Sequence, residues 1–289
     1  AFVVMSTGGG ISGGAANWSS GFLPSLYTGT RFRNAGPPIL NVDSPQGADR
    51  QLAGDTLELV SELNSRRLSL DGDPEIATRI ASYEMAHRLQ VSAPELMNLA
   101  DESTETLALY GIGDKATDSY GRECLMARRL AEAGVRYIQV NYTDNSNNPA
   151  WDQHTNMPKH ADHARAVDRP IAGLLTDLKR RGLLEDTLVW WGGEFGRNPY
   201  AQDNGTGRDH DPDGFTVWLA GGGVKSGFSH GATDEFGHVA IDGRTHMHDL
   251  HATVLHLLGL DHKRLTYRHA GRDFRLTDVA GRVISEIIA

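Results

Sequence analysis

Two hydrophobic rhythms divide the chain. Residues 55–70, 74–90 and 119–133 carry apolar positions three and four apart, as in Leu125, the aliphatic stem of Arg129, Leu130 and Ala133, and each predicts a helix with one covered face. Four short runs, residues 2–5, 135–140, 188–191 and 215–220, are too rich in Val, Ile, Trp and Phe for helix and too short for anything but buried strand. Between the second and third of these, residues 160–181 predict a long helix with Val167, Ile171, Leu174, Leu175 and Leu178 on one face. Strand, helix, strand in that order predicts an α/β fold with a mostly parallel central sheet. The run over about 52–112 reads as a helical flank, with Pro94 and Gly111–Gly113 as punctuation, on a single domain spanning residues 1–289.

Composition narrows the function classes. At 39% hydrophobic and 22% charged, the 289 residues have ordinary globular usage, and no apolar run approaches the roughly 18 residues of a membrane helix. Membrane insertion is therefore not expected. A formal charge of −9 sets phosphate-backbone binding aside, because nucleic-acid affinity needs clustered Lys and Arg. Cys124 is the single cysteine, so any metal must be held by His and carboxylates. Of 13 histidines only His87 precedes position 154, which directs the search for chemistry to the C-terminal half.

Open parallel sheets collect ligands beyond the carboxyl ends of their strands, and residues 6–14, 141–156 and 192–199, each polar or glycine-rich, follow three of the predicted strands. Asp152 and His154 lie two apart there, a spacing that aims a carboxylate and an imidazole at one cation, or else makes a turn with an exposed His. His160 and His163 share a helix face as weaker candidates. Glu194 follows two glycines at a strand end, which lets its carboxylate approach a ligand. Arg197 suits a sulfate or phosphate oxygen, or a salt bridge to Glu194 or Asp203. His210, in the Asp-rich segment 203–214, is the best single ligand candidate; it reaches the same cleft if its long loop folds back or the strand after it is antiparallel. Gly8, Gly9, Gly10, Gly13 and Gly14 lack the lysine of a phosphate loop and read as a glycine-rich linker. The histidine-dense residues 246–262 predict an amphipathic helix with Asp249 as N-cap and Gly259 as stop, which puts His248 and His251 at the rim of any site or outside it.

The ordered set 17–24, 27–32, 151–154, 186–199, 207–210, 219–227 and 248–281 resembles the bacterial family called domain of unknown function 1501 over essentially the whole chain. That family is placed by similarity in the alkaline phosphatase and sulfatase superfamily. The resemblance implies a three-layer α/β/α fold, alkaline-phosphatase-like, and a metal-dependent hydrolase of sulfate or phosphate esters acting on a small-molecule or carbohydrate ester. Its competitor is a non-catalytic binding protein on the same scaffold. By the same resemblance, Asp152, His154, Glu194 and His210 are the expected ligands of a divalent Zn, Mn or Ca, with Arg197 assisting catalysis. Where the superfamily has Asp-His-Gly, this chain has Glu194-Phe195-Gly196, so one His ligand is replaced. The resemblance also implies that the chain is the C-terminal two thirds of such a protein, with the nucleophile upstream and Ser6 or Thr7 the local substitutes, and that the complete protein is exported.

Overall fold

The computed structural model describes residues 2–8, 11, 13–33, 39, 50–143, 150–202 and 205–289. It is a mixed α/β structure whose sheets are small, and it divides into two compact units. The first comprises Ala1–Asn145 and Ala166–Gly173; the second comprises Ser146–Arg165 and Leu174–Ala289.

The first unit is built on β1 (Phe2–Ser6), β2 (Thr30–Arg31) and β3 (Tyr137–Asn141), in the order β2-β1-β3 and all parallel. β1 runs alongside β3 from Phe2 opposite Tyr137 to Ser6 opposite Asn141. A central strand buried on both faces needs apolar residues at consecutive positions, and Val3, Val4 and Met5 supply them. The helices are α1 (Arg50–Asp71), α2 (Pro74–Met97), α3 (Thr104–Leu109) and α4 (Asp118–Glu132). Met126, Ala127 and Leu130 of α4 close the core over Val3, Met5 and Phe32. The guanidinium of Arg129 reaches Glu102, 2.8 Å away, where Arg128 also binds at 2.6 Å, so this flank of α4 is fixed by a near-buried ion cluster. Leu125 and Leu130 are buried as the periodicity predicts. α2 runs past residue 90 to Met97, so Pro94 does not end it.

The second unit is organised differently. Helix α5 (His160–Arg180) contributes its two ends to it, and it contains β4 (Val189–Trp191), β5 (Gly196–Arg197), β6 (His210–Asp211), β7 (Trp218–Ala220), β8 (Ala232–Thr233), β9 (Ala240–Asp242), α6 (Met247–Leu257), β10 (Thr266–His269) and β11 (Arg272–Arg275). Among its described residues the ladders are antiparallel pairs: β4 with β7, β5 with β6, β8 with β9 and β10 with β11. Where a mostly parallel central sheet is expected, parallel pairing among the described residues is confined to β1, β2 and β3. The third and fourth apolar runs pair with each other, Val189 opposite Ala220 and Trp191 opposite Trp218, whose rings stack at 6.1 Å. Gly221 makes this pairing possible. It has φ +71°, and a Cβ there would overlap the Leu184 and Thr187 carbonyls, so only glycine lets the end of β7 lie against the turn leading into β4.

The N-cap of α6 also differs from expectation. His246 holds that place, accepting from the His248 N–H at 3.1 Å, while Asp249 reaches back to the His246 N–H at 3.0 Å. Asp249 thus fills the acidic position of a capping box, three residues in.

Candidate metal centre

Asp152 and His154 flank Gln153, which is buried and donates from Nε2 to the Ala150 carbonyl at 2.8 Å. The Gln153 N–H also bonds to the Trp151 carbonyl at 3.0 Å, a tight turn that holds Gln153 inward and leaves Asp152 and His154, on either side of it, only partly buried. A second segment is laid against the first by backbone bonds: Thr206 N–H to the Thr155 carbonyl at 3.3 Å and Arg208 N–H to the Gln153 carbonyl at 3.1 Å. Gly207 sits between these bonds, where a Cβ would overlap the His154 carbonyl. A residue with any side chain would push the two segments apart.

The chain then enters β6, where His210 stands opposite Arg197 of β5. The long loop does fold back, and the strand after it is antiparallel to β4. Asp152, His154 and His210 consequently converge, with one donor atom from each within 4.8 Å of the others. The Asp152 carboxylate oxygen is 3.0 Å from Nε2 of His154 and 3.0 Å from Nε2 of His210, and the two Nε2 atoms are 3.2 Å apart.

Orientation and charge follow from the surroundings. Nδ1 of His154 donates to Oε1 of Gln202 at 2.8 Å, which turns Nε2 toward the centre. Arg197 donates from Nη2 to Asp152 at 2.6 Å and from Nη1 to the Arg208 carbonyl at 3.1 Å. Burial by itself would raise the Asp152 carboxyl, but the bonds from Arg197 and His210, with the charges of Arg197 and His154, hold it down at about 2. The carboxylate is therefore ionised throughout the neutral range.

Phe195 completes the surroundings, its ring 4.1 Å from that of His210 and its face 5.8 Å from the Arg197 guanidinium. Glu194 lies between β4 and Phe195. It is exposed and stands outside the cluster, unlike its expected role as a fourth ligand. Arg197 pairs with Asp152 and not with Glu194, and Asp203 lies outside the described residues. His160 turns to the Trp151 carbonyl at 2.9 Å, and His251 packs edge-on against Trp190. Neither His248 nor His251 joins the cluster. Ser6 donates to the Gly8 carbonyl at 3.3 Å, and Thr7 exchanges bonds with the Thr143 backbone, donating at 2.6 Å and accepting at 2.9 Å. Gly9 and Gly10 lie outside the described residues.

Gln202 and Gly207 were not singled out in the sequence. Glycine in the Gly-Arg-Asp-His run was a readable signal for a close backbone approach; nothing local marked Gln202 as the partner of a histidine 48 positions away.

A family described as protein of unknown function (DUF1501) matches residues 1–288. The chain belongs to the DUF1501 family. No curated protein and no solved structure matches it. Membership carries no activity with it, so function has to be argued from the cluster. Among the described residues of this DUF1501 chain, no helix is long and apolar enough to cross a membrane.

Proposed function

We propose that this DUF1501 chain is a metal-dependent hydrolase of sulfate or phosphate esters, with one divalent ion held by Asp152, His154 and His210. One observation carries the reading. The Asp152 carboxylate oxygen and the Nε2 atoms of His154 and His210 meet in a triangle with edges of 3.0, 3.0 and 3.2 Å, a set that hydrogen bonds close and that one divalent ion can bind in place of their protons. Ligands of a tetrahedral ion at about 2.0–2.1 Å lie roughly 3.4 Å apart, close to these edges, and the two imidazoles suit zinc, while manganese is drawn by the carboxylate alone. Calcium is the poor fit among the three metals considered, because it takes oxygen ligands, six to eight of them.

Such an ion, when bound, supplies Lewis acidity toward an ester oxygen and lowers the pKa of water. The chain's own residues do the rest. Gln202 orients the His154 ring, and Arg197 aims the Asp152 carboxylate. Arg197 is on this reading a positioning residue first, and its positive charge beside the site favours anionic esters of small molecules or carbohydrates. Phe195 supports a single ion, since it presents an aromatic face to His210 where a second set of ligands would be needed. The same reading takes the three-layer alkaline-phosphatase-like architecture and export of the complete protein as proposals, the latter to be checked by cell fractionation.

The engagement of Ser6 and Thr7 by backbone groups favours a second reading, a non-catalytic binding protein. Turnover of p-nitrophenyl phosphate and p-nitrophenyl sulfate by the zinc- or manganese-loaded protein separates the two. Hydrolysis that is retained in His251→Ala and lost in His210→Ala supports the enzyme. Tight binding of one metal equivalent with turnover of neither ester supports the binding protein. Selective retention of iron with oxygen consumption would overturn both, because two His and one carboxylate also suit that chemistry.

A further inference from the structure

Helix α1 has two apolar rows. One, Ala53, Leu57, Val60 and Leu68, is partly buried, and α1 packs on α2. The other is Leu52, Leu59, Leu63 and Leu70, and these side chains are 54, 56, 56 and 85% exposed. At about 100° per residue the four lie within roughly 20° of one line down the helix, well away from the covered row. A helix in contact with a single partner needs one apolar row; a second row of leucines, spaced by seven, four and seven residues, marks a surface that another element covers.

The spacing says which element. Leu52 and Leu70 stand symmetrically about Ser61, and so do Leu59 and Leu63. A row with that symmetry matches itself when reversed: Leu52 meets the partner's Leu70, and Leu59 meets the partner's Leu63. Asp55 and Glu58 precede Ser61, whereas Arg66 and Arg67 follow it together with Glu62, which pairs with Arg66 on the same helix at 2.5 Å. Asp55 and Arg66 lie on one flank at nearly equal distances from the centre, so reversal brings Asp55 beside the partner's Arg66. Parallel docking offers Asp55 no such partner, because Asp55 and the partner's Arg66 then lie on opposite flanks and at different heights. The mixed signs along the row also fit an anionic membrane surface poorly, since such surfaces select basic helices.

We infer that the exposed leucine row of α1 docks against the same row of a second copy, antiparallel, with a two-fold axis at Ser61. This is an isologous interface of the closed, two-fold kind. It is independent of the metal centre, and each protomer keeps its own Asp152, His154 and His210.

Sedimentation equilibrium of the whole protein tests association. A reversible dimer is expected, weakened about tenfold or more by Leu59→Glu. Asp55→Arg should weaken it as well, and Asp55→Arg combined with Arg66→Asp should restore it. Register is read by a short bismaleimide on cysteine variants, against a background in which Cys124 is buried. Leu52→Cys and Leu70→Cys should each fail to cross-link alone, because identical positions lie about 27 Å apart in the reversed pair, yet cross-link when mixed. A monomer at all concentrations, cross-linking of Leu52→Cys with itself, or a monomer that instead binds phosphatidylserine vesicles through these leucines would overturn the inference.

Discussion

β1 and β6 are both strands, yet they hold their units together by opposite means. β1 is five residues long, is paired on both edges and buries Val3, Val4 and Met5 in succession. β6 is two residues long and buries a carboxylate, Asp211, while turning His210 to the other face. In the first unit the ladder exists to bury carbon. In the second it is a device for placing one polar side chain beside another. Reactive groups collect where backbone regularity has been given up for such placement.

The contrast breaks most decisively at His210. Removing its ring by His210→Ala leaves two donors, and zinc or manganese affinity should fall by more than about a hundredfold, measured by calorimetry. His251→Ala should leave it nearly intact, and no more than one tightly held equivalent is expected by elemental analysis.

Leu125→Ala probes the other side. Leu125 is completely buried, and the cavity should cost about 2–5 kcal/mol in urea unfolding, with metal affinity in the folded protein unchanged. Loss of metal binding there would show that the two kinds of construction depend on each other.

Gly207→Ala is the next smaller change. The methyl group forces the 205–208 segment off His154, for about 1–3 kcal/mol of stability and a measurable drop in metal affinity. An unchanged affinity would mean that His154 and His210 do not owe their meeting to this contact.

The smallest effect is a titration. His238 donates from Nδ1 to the buried Asp211 at 2.9 Å, and that bond, opposed by desolvation and helped by the charges of Asp211, Asp234 and Asp213, raises its pKa above 6.5. A raised value means that the pair stabilises fully below 6.5 and loses its contribution as pH climbs through the folded-state pKa. Proton resonances of His238 should therefore titrate above the ordinary value, and in Asp211→Asn they should return toward it.

Much of this was readable from residue order, for reasons that stop at a definite point. Periodicity located the helices because their burial is set by neighbours three and four away; residues 160–181 predict α5 nearly to the residue. Strand existence was equally local, but strand pairing was not. Nothing in residues 188–191 and 215–220 says that they pair with each other instead of joining β1 and β3, since both arrangements demand the same apolar run. Asp152, His154 and His210 could be named because ligand chemistry restricts the residue types. The place of Glu194 could not, because a residue in the turn between two strands has no periodicity to fix its direction.

The tryptophans are unevenly shared between the units. Trp18 is alone in the first, while Trp151, Trp190, Trp191 and Trp218 all belong to the second. Trp151 is next in sequence to Asp152 and meets the Trp191 ring edge-on at 6.4 Å, and Trp191 stacks in turn on Trp218. Light absorbed by indoles is therefore absorbed mainly in the second unit, and the stacked pair is close enough for their transitions to couple. Emission and near-ultraviolet dichroism of the untouched protein watch the second unit almost exclusively, whereas the far-ultraviolet signal of the helices is weighted toward the first. Two optical channels thus follow the two units separately during a single melt, without a label on either.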